Sequence, residues 1–134
     1  MIPRAPDPTH DDARQAFAAL PSAERAALLF WMLSIWRPAK KRWHCGTYAS
    51  KHTFGSRGGF YCTNEAFAGA WLASGIRLGE YRAGTWPIYA SPIYRNQWRT
   101  LHCDRFTPRG WPANVRIVFE ALVSVVVSGR EVAA

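Results

Sequence analysis

Basic residues alternate with aromatic rings at three places in the chain. The runs are K-K-R-W-H at 40–44, Y-R-N-Q-W-R at 94–99 and R-F-T-P-R-G-W at 105–111. Lys and Arg neutralise phosphates and aromatic rings stack on bases, so the combination predicts binding to DNA or RNA. The same residue types dominate the energetic centres of protein interfaces, which leaves an acidic protein partner open. A third interpretation is that Arg stems cover surface Trp side chains.

The segment around Lys51 is a second candidate site. Lys51 and His52 are followed by a glycine-rich loop and by a helix that Thr63 or Asn64 caps. Unbonded N–H groups at a helix start, together with a lysine, suit a phosphate. The alternative is structural, with His52 and the nearby Tyr48 hydrogen-bonded to the backbone and holding the glycine loop.

Both arguments together give the candidate residues for binding nucleic acid or another partner. They are Lys40, Lys41, Arg42, Trp43, Lys51, His52, Arg57, Asn64, Arg95, Trp98 and Arg99.

The region 48–75 also resembles a known group of proteins. Its pattern is Y-x-x-K-H-x-F, then G-F-Y-x-T-N, then x-x-F-x-x-A-x-x-x-x-G. This is similar to small, mostly uncharacterised proteins of bacterial phages, plasmids and integrated elements, and the likeness covers about residues 21–75. Ser50 and Gly55 stand where that family usually has Leu and an acid, and Ala68 and Trp71 stand where it often has Lys and Met. The resemblance implies a mobile-element setting and no agreed activity.

Histidines raise the question of catalysis. His44, His52 and His102, with Lys51, have the groups for metal-free phosphodiester cleavage, in which one His takes a proton and another gives it. Nothing in the sequence fixes their mutual distances, so no catalytic residue is assigned.

The cysteines give little support for a metal site. The pairs His44-Cys45 and His102-Cys103 are adjacent residues, whereas zinc ligands usually lie two to four residues apart. We therefore expect no metal and no other cofactor. The third cysteine, Cys62, makes the count odd, and no C-x-x-C occurs, so we expect three free thiols and a reducing cytoplasm.

The positive charge lies in the middle of the chain. The chain has 17 basic and nine acidic residues, which gives a net charge of +8. Residues 37–110 hold twelve of the basic and three of the acidic residues, a net charge of +9. Residues 1–36 have a net charge of −1 and residues 111–134 of zero. A basic, aromatic centre in a nearly neutral frame favours an anionic partner. The longest apolar run, 26–35, is too short to span a bilayer, and residues 1–8 lack the apolar core of a signal peptide, so no membrane partner is expected.

Helical periodicity and caps predict the elements that position these residues. Residues 1–8 form an extended arm, and helices are expected at 10–19 after Thr9, at 22–36 as the buried centre, and at 65–74 before Gly75. Close packing at Gly69 is expected in the last of these.

The remaining segments predict a β-ribbon and a last helix. Short aromatic and β-branched runs at 85–89, 93–94 and 97–103 favour an antiparallel ribbon within 76–110, and 115–128 fits a helix, with a strand as the alternative. The fold class is therefore mainly α with a small antiparallel β-ribbon (α+β): a single domain, 1–134, with a helical part at 9–75, a helix-turn-helix-like centre and a C-terminal helix in 111–129.

We expect a non-enzymatic binding role over catalysis. The first hypothesis is a small basic nucleic-acid-binding accessory protein of a mobile genetic element. The alternative is a phage- or plasmid-encoded, anti-CRISPR-like inhibitor that binds a host defence protein, and the second alternative is a small metal-free nuclease. The sequence leaves the oligomeric state open.

Overall fold

The computed structural model describes residues 5–94 and 111–133, and it places five helices and a three-stranded sheet there. In chain order the elements are α1 His10–Ala18, α2 Ser22–Ile35, β1 Trp36–Pro38, α3 Thr47–Ser56, α4 Asn64–Ala73, β2 Arg77–Leu78, β3 Ile88–Pro92 and α5 Ala113–Ala133. The predicted class, a small α+β domain with mainly helical structure, is confirmed. Residues 5–8 lie outside helices and strands, as expected for an arm.

Helix α1 begins at a complete capping box and packs against α4. The Thr9 hydroxyl accepts the N–H of Asp12, and the Asp12 carboxylate accepts the N–H of Thr9 at 2.8 Å. At the crossing, a Cβ on Gly69 would come within 2.6 Å of Phe17 Cβ and would also meet the Ala13 carbonyl. Only glycine therefore allows this approach, and the predicted close packing at Gly69 is confirmed.

Helix α2 is the buried centre of the domain, as predicted. Trp31 lies against rings from β1, α3 and α4, with Phe54 and Trp71 meeting it edge to face at 5.2 and 5.8 Å. The helix ends one residue earlier than expected. Trp36 has extended backbone angles (φ −126°, ψ 155°) and starts β1, because strand pairing with β3 takes over before Pro38.

The sheet differs from the predicted ribbon in its pairing. The strand order is β1-β3-β2, with Arg37 opposite Ser91 and Arg77 opposite Tyr89, both antiparallel. The central strand therefore joins β1, which the ribbon prediction did not include, to the short β2. The predicted strand at 93–94 is not one, and the run 97–103 lies outside the described residues.

Helix α4 begins and ends as the caps predict, but it is buried nearly all round. The Thr63 hydroxyl accepts the N–H of Ala66, and Gly75 follows with φ +85°. Every residue from Ala66 to Trp71 is buried. A recognition helix must present a face to the groove, and α4 has no such exposed face between Ala66 and Trp71.

Helix α5 is longer than predicted and continues through Gly129. Phe119, Val123 and Val126 are buried, and they lie on the side of the helix that packs on α2. At its C-terminal end Arg130 forms an ion pair with Glu24 of α2. Arg130 also donates to the Tyr61 carbonyl, which fixes the last turns of α5 beside the segment that connects α3 to α4.

Candidate functional site

The helix that carries Lys51 and His52 is held at its start by residues of the loop before β3. The Thr47 N–H donates to the Trp86 carbonyl at 2.9 Å, and the Trp86 N–H donates to the Thr47 hydroxyl at 3.2 Å. The Tyr48 N–H donates to the Thr85 hydroxyl at 3.0 Å. These bonds use N–H groups at the start of α3 and fix the direction in which its side chains project.

Lys51 is the unusual residue of this helix, because it is a lysine with only 7% of its surface exposed. Its ammonium lies over two tyrosine rings, 5.0 Å from the centroid of Tyr61 and 5.5 Å from that of Tyr48. Among residues 5–94 and 111–133 it has no carboxylate partner and no hydrogen-bond acceptor. Buried lysines are normally paired, yet within 5–94 and 111–133 the charge of Lys51 meets only the two ring faces.

Lys51 borders a cavity of about 210 Å³, called here the Lys51 pocket, which is lined by Lys51, His52, Gly55, Ser56, Tyr61 and Cys62. His52 is exposed, and its ring meets Tyr48 edge to face at 4.5 Å. The structural alternative for these two side chains, hydrogen bonding to the backbone, finds no support in the described part of the chain. None of the described residues that line the pocket is acidic, which makes it a place for a negatively charged group.

Glu24, an acid that acts electrostatically on Cys62 of the pocket, is neutralised by the C-terminal helix. Glu24 is buried and accepts from Arg130, whose guanidinium also donates to the Tyr61 carbonyl at 2.7 Å. The same guanidinium lies 5.0 Å from the Phe60 ring. Arg130 therefore cancels the Glu24 charge and holds the backbone of Tyr61, the ring that covers Lys51.

Cys62 is a buried free thiol beside this charged group. Desolvation by burial raises the pKa of Cys62 to about 12, against smaller lowering effects of Lys51 and Arg130 and a small raising effect of Glu24. Because the thiolate is the nucleophile, a thiol with this pKa is inert at neutral pH.

We expect Cys62 to escape thiol reagents in the native protein between pH 7 and pH 9. The thiol stays protonated in this range, since its pKa lies at about 12, and burial also keeps the reagent away. The measurement is a timed thiol assay on the wild type and on Cys62→Ser. The two native proteins should react with the same number of thiols. After denaturation the wild type should react with one thiol more than Cys62→Ser. A fast native signal that Cys62→Ser removes would contradict the burial of Cys62.

The basic run Lys40-Lys41-Arg42 lies in the exposed loop between β1 and α3. The loop is anchored at both ends to β3, where the Ala39 N–H donates to the Tyr89 carbonyl and the Trp43 N–H donates to the Ile88 carbonyl at 2.7 Å. Its three charged side chains point outward from a fixed backbone, and they make no ion pair with a described residue. Trp43 is half-buried and packs on Trp36, so it is less available for stacking than predicted.

Acidic residues are absent from a long segment around both sites. Between Glu24 and Glu65 the chain has seven Lys or Arg residues and no Asp or Glu. This segment includes the basic loop and the whole of α3. Its exposed part therefore presents positive charge that no carboxylate of the same segment cancels.

At the helix start around Asn64, which the sequence suggested as a phosphate site, some of the donors already have partners within the chain. The Ala66 N–H is bonded to Thr63 at 3.1 Å, and the Asn64 side chain donates to the Gly84 carbonyl at 3.0 Å. Gly84 has φ +83° and lies in the turn before β3. Asn64 therefore joins α4 to that turn.

The other predicted residues have separate locations. Arg57 is exposed at the C-terminal end of α3, and Arg95, Trp98 and Arg99 lie outside the described residues. Trp111, counted among the surface rings, is buried and meets Phe119 at 5.7 Å. The prediction missed the role of Tyr48 and Tyr61 in enclosing Lys51, although both belong to the motif around it.

The histidines and cysteines do not form a common centre in the described part of the chain. No three residues of His, Cys, Asp or Glu come together there in a way that could hold a metal ion. The His44 ring lies 4.2 Å from that of Trp43 in a tilted arrangement, and His102 lies outside the described residues. Cys45 is disulfide-bonded, so the prediction of three free thiols is wrong at this position. Cysteine spacing alone does not reveal pairing.

No protein-family model, curated protein or solved structure matches the chain. Separately, none of the helices within 5–94 and 111–133 has both the length and the hydropathy of a membrane span.

Proposed function

We propose that this chain is a small basic protein that binds nucleic acid. The observation that carries the proposal is the segment from 25 to 64, in which seven basic residues occur without an acid and three adjacent ones stand exposed on an anchored loop. Phosphate contacts from Lys and Arg supply most of the affinity in non-specific nucleic-acid binding. The loop Lys40-Lys41-Arg42 is the part that meets the backbone phosphates.

Exposed aromatic rings near α3 add a second element of such a surface. Tyr48 is 54% exposed and Tyr61 is 68% exposed, and both stand around the Lys51 ammonium. Rings with a free face stack on unpaired bases, typically at about 1–3 kcal/mol per base. The buried α4 offers no groove-reading face, so single strands and backbone contacts fit the protein better than major-groove recognition.

The cellular setting of the proposal rests on the resemblance alone. A role as accessory protein of a mobile genetic element follows from the Y-x-x-K-H-x-F pattern at 48–54. The cytoplasmic location also stays a prediction. The Cys45 disulfide counts against it, because disulfides are rare in a reducing cytoplasm.

A protein partner is the second candidate, and the outer face of α5 favours it. Ile117, Val118, Val125 and Val132 are large apolar residues of this helix that remain exposed. Apolar side chains grouped on one surface are typical of interaction sites. The inhibitor hypothesis predicts that a host protein stays bound after nuclease digestion.

Replacing Lys40, Lys41 and Arg42 together with Ala should weaken nucleic-acid binding for all sequences and flatten its salt dependence. The slope of log affinity against log salt is about 0.9 per neutralised phosphate in duplex DNA, so losing three contacts should reduce it by up to about 2.7. The measurement is a titration of labelled duplex and single strands at several salt concentrations.

A matched control separates local contacts from net charge. The triple substitution of Arg14, Arg82 and Arg116 with Ala also lowers the formal charge from +8 to +5, since 8 − 3 = 5, at exposed positions outside the loop. We expect it to keep most of the affinity and slope. Equal losses in both variants would contradict a binding loop, and no binding of the wild type at low salt would remove the nucleic-acid proposal.

A further inference from the structure

We propose that the Lys51 pocket binds the phosphate group of a nucleotide, either free or at the end of a nucleic-acid strand. The inference does not rest on the nucleic-acid function of the basic loop, because inorganic phosphate or a mononucleotide would occupy the same pocket. It rests on a buried lysine that borders a cavity and has no counter-ion among the described residues.

Burying an ammonium group without a carboxylate partner is unfavourable. A bound anion beside Lys51 would offset this cost. The side chain is almost fully buried, and the residue borders a cavity of about 210 Å³. This is several times the roughly 30 Å³ that one water molecule occupies in the liquid. The two tyrosine rings stabilise the cation in part, as cation–π contacts do, and no described residue accepts a hydrogen bond from it.

The donors around the cavity suit phosphate. Besides Lys51, the pocket is lined by the exposed imidazole of His52 and by the hydroxyl of Ser56, whose only described bond is a long one of 3.4 Å to the Thr53 carbonyl. A phosphate monoester presents three terminal oxygens, which match three donors of different residues better than the two oxygens of a carboxylate do.

The charge balance around the pocket also favours an anion. Glu24 is held in its ion pair with Arg130, so Lys51 and the Arg130–Glu24 pair together carry a net charge of +1. The exposed rings of Tyr48 and Tyr61 stand beside the same ammonium. A nucleotide with its phosphate on Lys51 therefore has aromatic surface available for its base.

The test measures binding of defined phosphate probes to the full chain by calorimetry and by thermal shift. The probes are inorganic phosphate, adenosine monophosphate, and one oligonucleotide with either a 5′-phosphate or a 5′-hydroxyl, each compared with chloride at equal ionic strength. We expect phosphate probes to raise the melting temperature of the wild type, as a ligand of the native state must. An equal rise with chloride would overturn the proposal.

Lys51→Met is the decisive variant, since Met keeps an unbranched apolar stem and removes the charge. We expect at least tenfold weaker binding of the phosphate probes, with an unliganded melting temperature equal to or above that of the wild type, because the buried charge no longer has to be desolvated. Arg82→Met removes one positive charge at an exposed position outside both the basic loop and the pocket, so it is the matched control and should bind inorganic phosphate as the wild type does. Unchanged phosphate binding by Lys51→Met would overturn the proposal.

Two further variants keep the test valid if Lys51→Met does not fold. His52→Gln and Ser56→Ala change exposed positions that line the pocket. Each substitution should weaken phosphate binding severalfold. If both variants bind phosphate as tightly as the wild type, the proposal is overturned. The oligonucleotide pair identifies the source: tighter binding of the 5′-phosphorylated strand supports a strand end, whereas binding of adenosine monophosphate alone supports a free nucleotide.

Discussion

Trp31→Ala is expected to destabilise the protein by about 3–5 kcal/mol, the usual range for emptying a buried Trp site. Trp31 is 1% exposed, and its ring lies within 5.2–5.9 Å of the ring centroids of Trp36, Phe54, Phe67 and Trp71. Those four residues come from β1, α3 and α4, so one side chain joins most of the elements around α2. Because whole domains are stable by about 5–15 kcal/mol, this loss leaves a marginal fold.

The measurement is urea unfolding of the wild type, Trp31→Ala and Leu33→Ala. Leu33 lies on the same helix and is 59% exposed, so its substitution should change the free energy of unfolding by no more than about 0.5 kcal/mol. A midpoint for Trp31→Ala equal to that of Leu33→Ala would show that α2 is not the centre of the core.

The sequence predicts this core well, because helical periodicity and caps are local signals. Thr9, Thr63 and Gly75 place helix ends to within a residue or two, and the apolar run of α2 identifies the buried centre. The sheet was less predictable. The local sequence predicts Trp36 as the last residue of the helix. Its place in a strand depends on pairing with Pro92, which lies more than fifty positions further along the chain.

The candidate site shows the same limit. The exposed positions of Lys40, Lys41 and Arg42 agree with what the basic run suggested, since a charged run after a helix-ending proline has a local reason to be in a loop. No local feature of the sequence predicts that Lys51 is buried. Its burial depends on Tyr61, which is placed over the ammonium by a bond from α5, about seventy residues further along the chain.

The surface rings were overestimated for a related reason. Trp, Arg and Lys side by side suggest an exposed binding patch, yet Trp111 is buried against Phe119 and Trp43 is half-buried on Trp36. Composition tells how many rings a chain has, but only the packing of α5 and β1 decides which of them reach solvent.

Arg130→Met is expected to cost about 2–3 kcal/mol of stability. Removing one member of a fully buried ion pair costs about 3–5 kcal/mol, because the other charge stays buried without a partner. Here the Arg130 side chain is 40% exposed and that of Glu24 is 10% exposed, so water reduces the loss. The substitution also removes the 2.7 Å bond to the Tyr61 carbonyl.

A double variant and a control assign this loss to the buried carboxylate. Glu24→Gln combined with Arg130→Met removes the stranded charge and should recover at least half of the lost free energy of unfolding, whereas Arg116→Met, at an exposed position of α5, should stay within about 0.5 kcal/mol of the wild type. Without Arg130 the backbone of Tyr61 loses its anchor, so phosphate binding at Lys51 should weaken in the single and in the double variant alike. Full recovery of phosphate binding in the double variant would show that charge balance, and not the anchored position of Tyr61, controls the pocket.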